Sequence, residues 1–166
     1  MAVRVTGLTV AGLPHRRRLW AAHWGGDTMV TGGRLRRLAE LPGVEAWVDD
    51  DWAGVLTWAT DAAPAEWEIV SLDARAHGRG VGSALLRAVA AAARQEGVGR
   101  LWLVTSNDNV EAVGWYQRRG FRLVRVHLDA ITRARVLKPE IPQVGHGGIP
   151  IRDEWELEWR PAPDGE

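Results

Sequence analysis

The chain has no cysteine among its 166 residues. Disulfides, thiolate metal ligands and cysteine nucleophiles are therefore excluded. Lysine is nearly absent too: Lys138 is the single one, and every other basic side chain is arginine. Acidic residues balance Lys and Arg at 21 each, so bulk charge recruits neither nucleic acid nor a membrane surface. The N-terminal stretch MAVRVTGLTVAGLPHRRRLW has no uninterrupted apolar run long enough for a signal peptide, and no segment approaches membrane-spanning length. The expectation is a soluble cytoplasmic protein with no nucleic-acid or membrane partner. Tyrosine and phenylalanine are down to one each, Tyr116 and Phe121, against ten tryptophans. The excess of arginine, alanine and glycine fits a GC-rich bacterial genome.

What is present reads as one mixed α/β domain over 1–166, with no internal repeat, no linker, and a frayed tail over 161–166. Val3 to Val10 alternates as a strand, and Pro14 opens a helix that Gly25-Gly26 ends. RLRRLAEL, Arg34 to Leu41, reads as a short helix, with Thr28 to Gly33 before it unassigned. VEAWVDD and WAGVLTWAT form a hairpin around Asp50, and DAAPAE reads as a loop. Trp67 to Leu72 is a strand that runs into a glycine-crowded turn, Gly78, Gly80 and Gly82. A helix with Val81, Leu85, Val89 and Ala92 on one face follows. LWLVTS is apolar enough for a strand buried on both faces, parallel to the strand before the helix. Asn107-Asp108-Asn109 then caps a helix ending at Gly120, and FRLVRVHL is a strand. ITRARVLKPEIP gives a short helix broken by Pro139. The last strand sets Trp155, Leu157 and Trp159 against Glu154, Glu156 and Glu158. That glutamate face is expected to be solvated; otherwise Asp153 and Glu154 help select a cationic acceptor. Trp20, Trp24 and Trp52 are expected to serve packing or a contact between copies, which leaves a homodimer open.

The glycine turn is a place for phosphate, because backbone N–H groups and a helix N-terminus converge there on an anion. A Walker A loop is excluded, since no lysine follows the glycines. A dinucleotide fingerprint fits poorly, because LWLVTS ends without an acid.

The turn resembles the acyl-CoA loop of the GNAT N-acetyltransferase superfamily, Gln/Arg-x-x-Gly-x-Gly/Ala. Arg75-x-x-Gly78-x-Gly80 satisfies the letters. The register His77-x-x-Gly80-x-Gly82 places Leu85-Leu86 as the family does, and puts a histidine where the family has arginine. A second block, NVEAVGWYQRRGF, resembles the family's N-x-x-A-x-x-x-Y-x-x-x-G-F through Asn109, Ala112, Tyr116, Gly120 and Phe121. The resemblance implies a three-layer fold: a central, mostly antiparallel sheet of six or seven strands with a splayed parallel pair, and helices on both faces. It implies acetyl transfer from acetyl-CoA to an amine acceptor, with no metal. Tyr116 is implied as the acid toward sulfur, Glu68 as the base or amine-binding carboxylate, and the Leu72 N–H as oxyanion donor. The implied contacts to acetyl-CoA come from Leu72, Ala74, His77, Gly78, Arg79, Gly80, Val81, Gly82, Ser83, Asn109 and Tyr116. A small-molecule primary amine is the expected acceptor. The alternatives are a protein N-terminus or lysine, or a non-catalytic acyl-CoA-binding regulatory module.

Overall fold

A computed structural model describes residues 2–162. The tail expected over 161–166 lies beyond them from residue 163 onward. Seven strands form one sheet in the order β1-β4-β5-β6-β7-β9-β8. In chain order these are β1 (Val3–Gly7), β4 (Gly43–Val48), β5 (Asp51–Ala63), β6 (Glu66–Ala74), β7 (Arg100–Ser106), β8 (Arg122–His127) and β9 (Glu154–Trp159). All neighbours are antiparallel except β6 and β7. Two short strands, β2 (Thr28–Thr31) and β3 (Arg34–Arg37), pair separately. Four α-helices are described: α1 (Leu13–Trp24), α2 (Val81–Gln95), α3 (Val110–Gln117) and α4 (Ala130–Ala134). None of them is long and apolar enough to cross a membrane.

Two cores sandwich the sheet. On one face α2 and α3 bury Val81, Leu85, Val89, Val113 and Tyr116 against Leu56, Ile69, Leu101 and Leu157. Ala93, rather than the expected Ala92, completes the buried row of α2. On the other face Trp20 of α1 and Leu38 pack on Trp52, Val55, Ala59 and Val70. Trp20 and Trp52 are thus core residues.

The expected helix over Arg34 to Leu41 is strand β3 followed by one 3-10 turn, Leu38–Glu40. The reason lies just upstream. Gly32 and Gly33 both take positive φ, 55° and 78°, the combination a tight two-residue hairpin needs, and this folds Arg34–Arg37 back onto Thr28–Thr31. Residues expected as a loop, DAAPAE, extend β5 and β6, with only Pro64 and Ala65 between them. The β2–β3 hairpin covers the face that holds α1: Arg36 reaches Glu68, and the Gly32 N–H reaches Glu154 at 3.4 Å.

The glutamates of β9 are not a solvated face. Glu154 is 3% exposed, and Arg100 makes ion pairs with Glu66, Glu156 and Glu158. His127 adds a 3.0 Å bond to Glu156.

Candidate active site

The parallel pair is short. β6 and β7 are joined at Glu66–Arg100, Trp67–Leu101 and Glu68–Trp102, and no further. Both strands continue, β6 to Ala74 and β7 to Ser106, so beyond Glu68 they part and leave a gap in the middle of the sheet. β6 also carries an extra residue: Thr57 pairs with Ser71 while the next residue, Trp58, pairs with Ile69. The bulge inserts Val70 and flips the alternation after it. Val70 packs on the α1 face, and Ser71 bonds Thr57 at 2.7 Å, whereas Leu72 packs on the α2 face. Strict alternation would set Glu68, Val70 and Leu72 on one face; the bulge leaves Glu68 and Leu72 on opposite ones.

The bulge also orients the backbone. Arg75 N–H donates to Ala53 O on β5 at 2.8 Å, and the pairing from Ser71 to Ala74 is regular. Successive residues of a strand point their N–H groups to alternate edges. Leu72 and Ala74 therefore turn theirs away from β5, into the gap. That is the position an oxyanion donor and a strand-like partner for a pantetheine arm require.

At the end of β6 the chain makes the glycine turn. Gly78 and Gly80 have φ of 78° and 73°, and a Cβ on either would meet no atom within 4 Å. They are needed for backbone conformation, and space above them is free. Gly80 is the residue before α2, and its carbonyl takes the Ala84 N–H at 2.9 Å, leaving the N–H groups of Val81, Gly82 and Ser83 open toward the turn. Gly82 has a different reason: a Cβ there would come within 3.2 Å of Trp115, so it lets α3 approach α2. Arg75, the basic residue of the other loop register, donates to the Trp52 carbonyl at 3.2 Å and lies along β5. His77 and Arg79 are exposed on the turn. Ser83 is bound through its hydroxyl by Arg119, at 2.9 and 3.1 Å. Arg119 stacks over Trp115 at 3.7 Å, and its pKa is held down by desolvation, then by Arg118 and Arg87. This crowd of cations beside the turn was not singled out in the sequence.

Tyr116 sits on α3, 8% exposed, edge-on to Trp115 and Phe121. Burial first, and then the charge of Asp73, push its phenol well above its ordinary value. Asp73 belongs to the α1 face and Tyr116 to the α2 face, so the two act on each other across the sheet, at the level where the strands have parted. Asn109 occupies the position before α3 without capping it by its side chain; its Nδ2 donates to Thr105 at 3.2 Å.

Glu68 is 1% exposed and paired with Arg36, Nη2 to Oε2 at 2.9 Å, while its Oε1 has no partner among the described residues. Arg36 also holds Asp61. On the same face Asp73 accepts from Trp24 and faces His23. Arg36, His23 and Asp73 were not singled out in the sequence. The Gly-Gly hairpin signal would have put Arg36 on a strand opposite Met29, but nothing local brings it to Glu68, and nothing local marks the His23–Asp73 contact, fifty residues apart.

Left-handed glycines at a helix N-terminus, a parted parallel pair with N–H groups turned inward, and a tyrosine on its flank define an acyl-CoA-dependent transferase. These residues fit acetyl-CoA. The model of the Acetyltransferase (GNAT) family matches residues 15–121, and the chain belongs to that family. It is 40% identical over 136 residues to the uncharacterized protein YdhI of Bacillus subtilis (strain 168), covering 81% of this chain and 84% of YdhI. Among solved structures, the IAA acetyltransferase from Bacillus cereus ATCC 14579 superposes with a TM-score of 0.72 at 21% identity, covering 96% of this chain and 99% of that one. A GNAT family acetyltransferase from Elizabethkingia anophelis with acetyl-CoA bound gives 0.73 at 17% identity, over 95% and 97%.

Proposed function

We propose that this protein is a cytoplasmic N-acetyltransferase that moves the acetyl group of acetyl-CoA to a primary amine by direct attack, with both substrates bound together. The observation that carries the reading is the gap between β6 and β7, flanked by Tyr116 and closed at one end by the glycine turn. Acetyl-CoA supplies an acyl group activated as a thioester. The Leu72 and Ala74 N–H groups line the donor and stabilise the carbonyl oxygen as it gains charge. The turn, with His77 and Arg79 exposed on it and Gly78, Gly80, Val81, Gly82 and Ser83 offering backbone donors, holds the phosphates. Asn109, at the mouth of α3, lies beside the donor chain. Tyr116, kept protonated by burial, gives its proton to the departing sulfur.

The amine comes from the opposite opening, on the α1 face, because the donor fills the other. Besides Asp73, which is held by Trp24 and His23, the carboxylates there include Glu68, with Oε1 uncommitted, and Glu154, buried with no basic side chain bonded to it among the described residues. Both favour a cationic small molecule. Arg36 commits half of Glu68, so its part is to bind the amine or take its proton through water. The exposed Leu123, Val124 and Val126 of β8, whose outer edge pairs with no strand among the described residues, support a homodimer built on that edge.

Acetyl-CoA is expected to raise the melting temperature, as a ligand selective for the native state does. A panel of amines is then screened for release of free CoA. Absence of a shift at high acetyl-CoA would overturn the reading. A shift without release from any amine would favour a non-catalytic binding module, and release only with peptides would make the acceptor a protein.

A further inference from the structure

The α1 face of the gap holds a pair of side chains that the roles above leave unused. His23 lies in the last turn of α1, and Asp73 follows Leu72 on β6. Nδ1 of His23 is 2.8 Å from Asp73 Oδ1, and the Trp24 indole N–H donates to both Asp73 oxygens at 3.1 Å. A carboxylate oxygen accepts, so Nδ1 carries the hydrogen and the neutral ring keeps its lone pair on Nε2. The side chain of Asp73 is 3% exposed and that of His23 42%, so the ring is fixed at one nitrogen and open at the other. Lys138 anchors the same corner, its ammonium bonded at 2.6 Å to the carbonyls of Trp24 and Thr28.

The location is what gives this pair a role. Asp73 is adjacent to Leu72, whose N–H points into the gap, and its charge is felt by the Tyr116 phenol from the other side. Glu68 lies five residues before Asp73 along β6, roughly 16 Å at strand rise, and is tied to Arg36.

We propose that His23 is a further catalytic residue, the proton acceptor for the attacking amine, with Asp73 and Trp24 as its positioning residues and Glu68 left to bind the amine. This rests on the acetyl-transfer reading above. The amine lone pair forms the C–N bond as the C–S bond breaks. Nitrogen becomes acidic as that bond forms, and its proton goes to Nε2 of His23. The sulfur takes the Tyr116 proton, and the strongly basic phenolate recovers one from water, which His23 in turn replenishes. One amine and one thioester give one amide and one thiol.

Asp73 on β6 is the charged group bonded to His23; the Lys138 ammonium bonds the carbonyl of the neighbouring Trp24, and Tyr116 feels the Asp73 charge from the other face of the sheet. The Asp73 hydrogen bond is the largest influence on its pKa; burial opposes it, the carboxylate charge adds to it, and the net value lies above the ordinary 6.5. Only the neutral ring accepts a proton, so turnover rises with pH through that raised value.

The test is the pH profile of kcat for the wild type, His23→Gln, Asp73→Asn and Tyr116→Phe, with imidazole added to His23→Ala. The expected results are an acidic limb above pH 6.5 in the wild type, moved to lower pH in Asp73→Asn. His23→Gln should lose the limb and about 100-fold in kcat, with KM for acetyl-CoA unchanged, and imidazole should restore part of the His23→Ala loss. A His23→Gln enzyme with wild-type kcat and limb overturns the proposal. If the His23 variants do not fold, NMR titration of His23 in the wild type decides, because a ring pKa that differs from the kinetic limb overturns it. Wild-type protein that releases no CoA with any amine overturns the acetyl-transfer reading itself. Release slowed by Tyr116→Phe but indifferent to His23 removes only this inference.

Discussion

Arg36 reaches Glu68 at 2.9 Å from a strand outside the main sheet, with 8% of the arginine side chain and 1% of the glutamate exposed. Removing one member of such a pair strands the other without a partner. Arg36→Ala is expected to cost about 3–5 kcal/mol in urea unfolding. Adding Glu68→Gln should recover part of that loss, and a double-mutant cycle measures the coupling.

Tyr116→Phe keeps the ring in its contacts with Trp115 and Phe121 and removes only the proton. Turnover should fall by about 100-fold or more, the scale of a general acid. Calorimetric affinity for acetyl-CoA should stay within a factor of about two of the wild type, because the proposed binding site rests on the glycine turn and the β6 backbone.

Gly80 and Gly82 separate conformation from packing. Gly80→Ala forces a side chain into φ of 73°, a cost of about 1–2 kcal/mol, and should weaken acetyl-CoA binding by re-aiming the first N–H groups of α2. Gly82→Ala puts a Cβ 3.2 Å from Trp115. It should lower the melting temperature by shifting α3, with the larger kinetic effect on kcat, since Tyr116 rides on that helix. Paired thermal scans and steady-state kinetics read both.

Glu154 makes a signed prediction about pH. Burial is the largest influence on its carboxyl and raises it above the ordinary 4.5; the nearby Glu68 charge also raises it, while the Gly32 N–H, His127 and Arg133 oppose. Between 4.5 and the raised value the folded chain binds more protons than the unfolded one, so this group's contribution to stability falls as pH rises through that window. Glu154→Gln should therefore melt higher than the wild type at neutral pH. The difference should vanish below the ordinary carboxylate value, as melting curves from pH 4 to 8 would show.

Much of the site was legible because it is written locally. The strand, the glycine turn and the α2 helix are contiguous, and Tyr116 comes with Gly120 and Phe121 at fixed spacing, so the backbone alone delivers them to one place. The errors arose where distant residues decide. RLRRLAEL has good helix formers, yet the Gly32-Gly33 turn pairs it as a strand, and that strand carries Arg36 to Glu68. The glutamates of β9 alternate like a solvated face, but Arg100 and the β2–β3 hairpin enclose them. A one-residue bulge at Val70 is invisible to a pattern of period two, and it moved Leu72 to the face opposite Glu68. The His23–Asp73 contact follows from that same bulge and from how α1 lies on the sheet.

The most direct test follows the acetyl group itself. Wild-type protein is mixed with acetyl-CoA and an amine panel, and acetylated amine is measured by mass spectrometry alongside free CoA. The account predicts that at least one cationic primary amine gains an N-acetyl group mole for mole with CoA released, far more slowly in Tyr116→Phe. Tight acetyl-CoA binding with no acetylated amine from any member of the panel would contradict it.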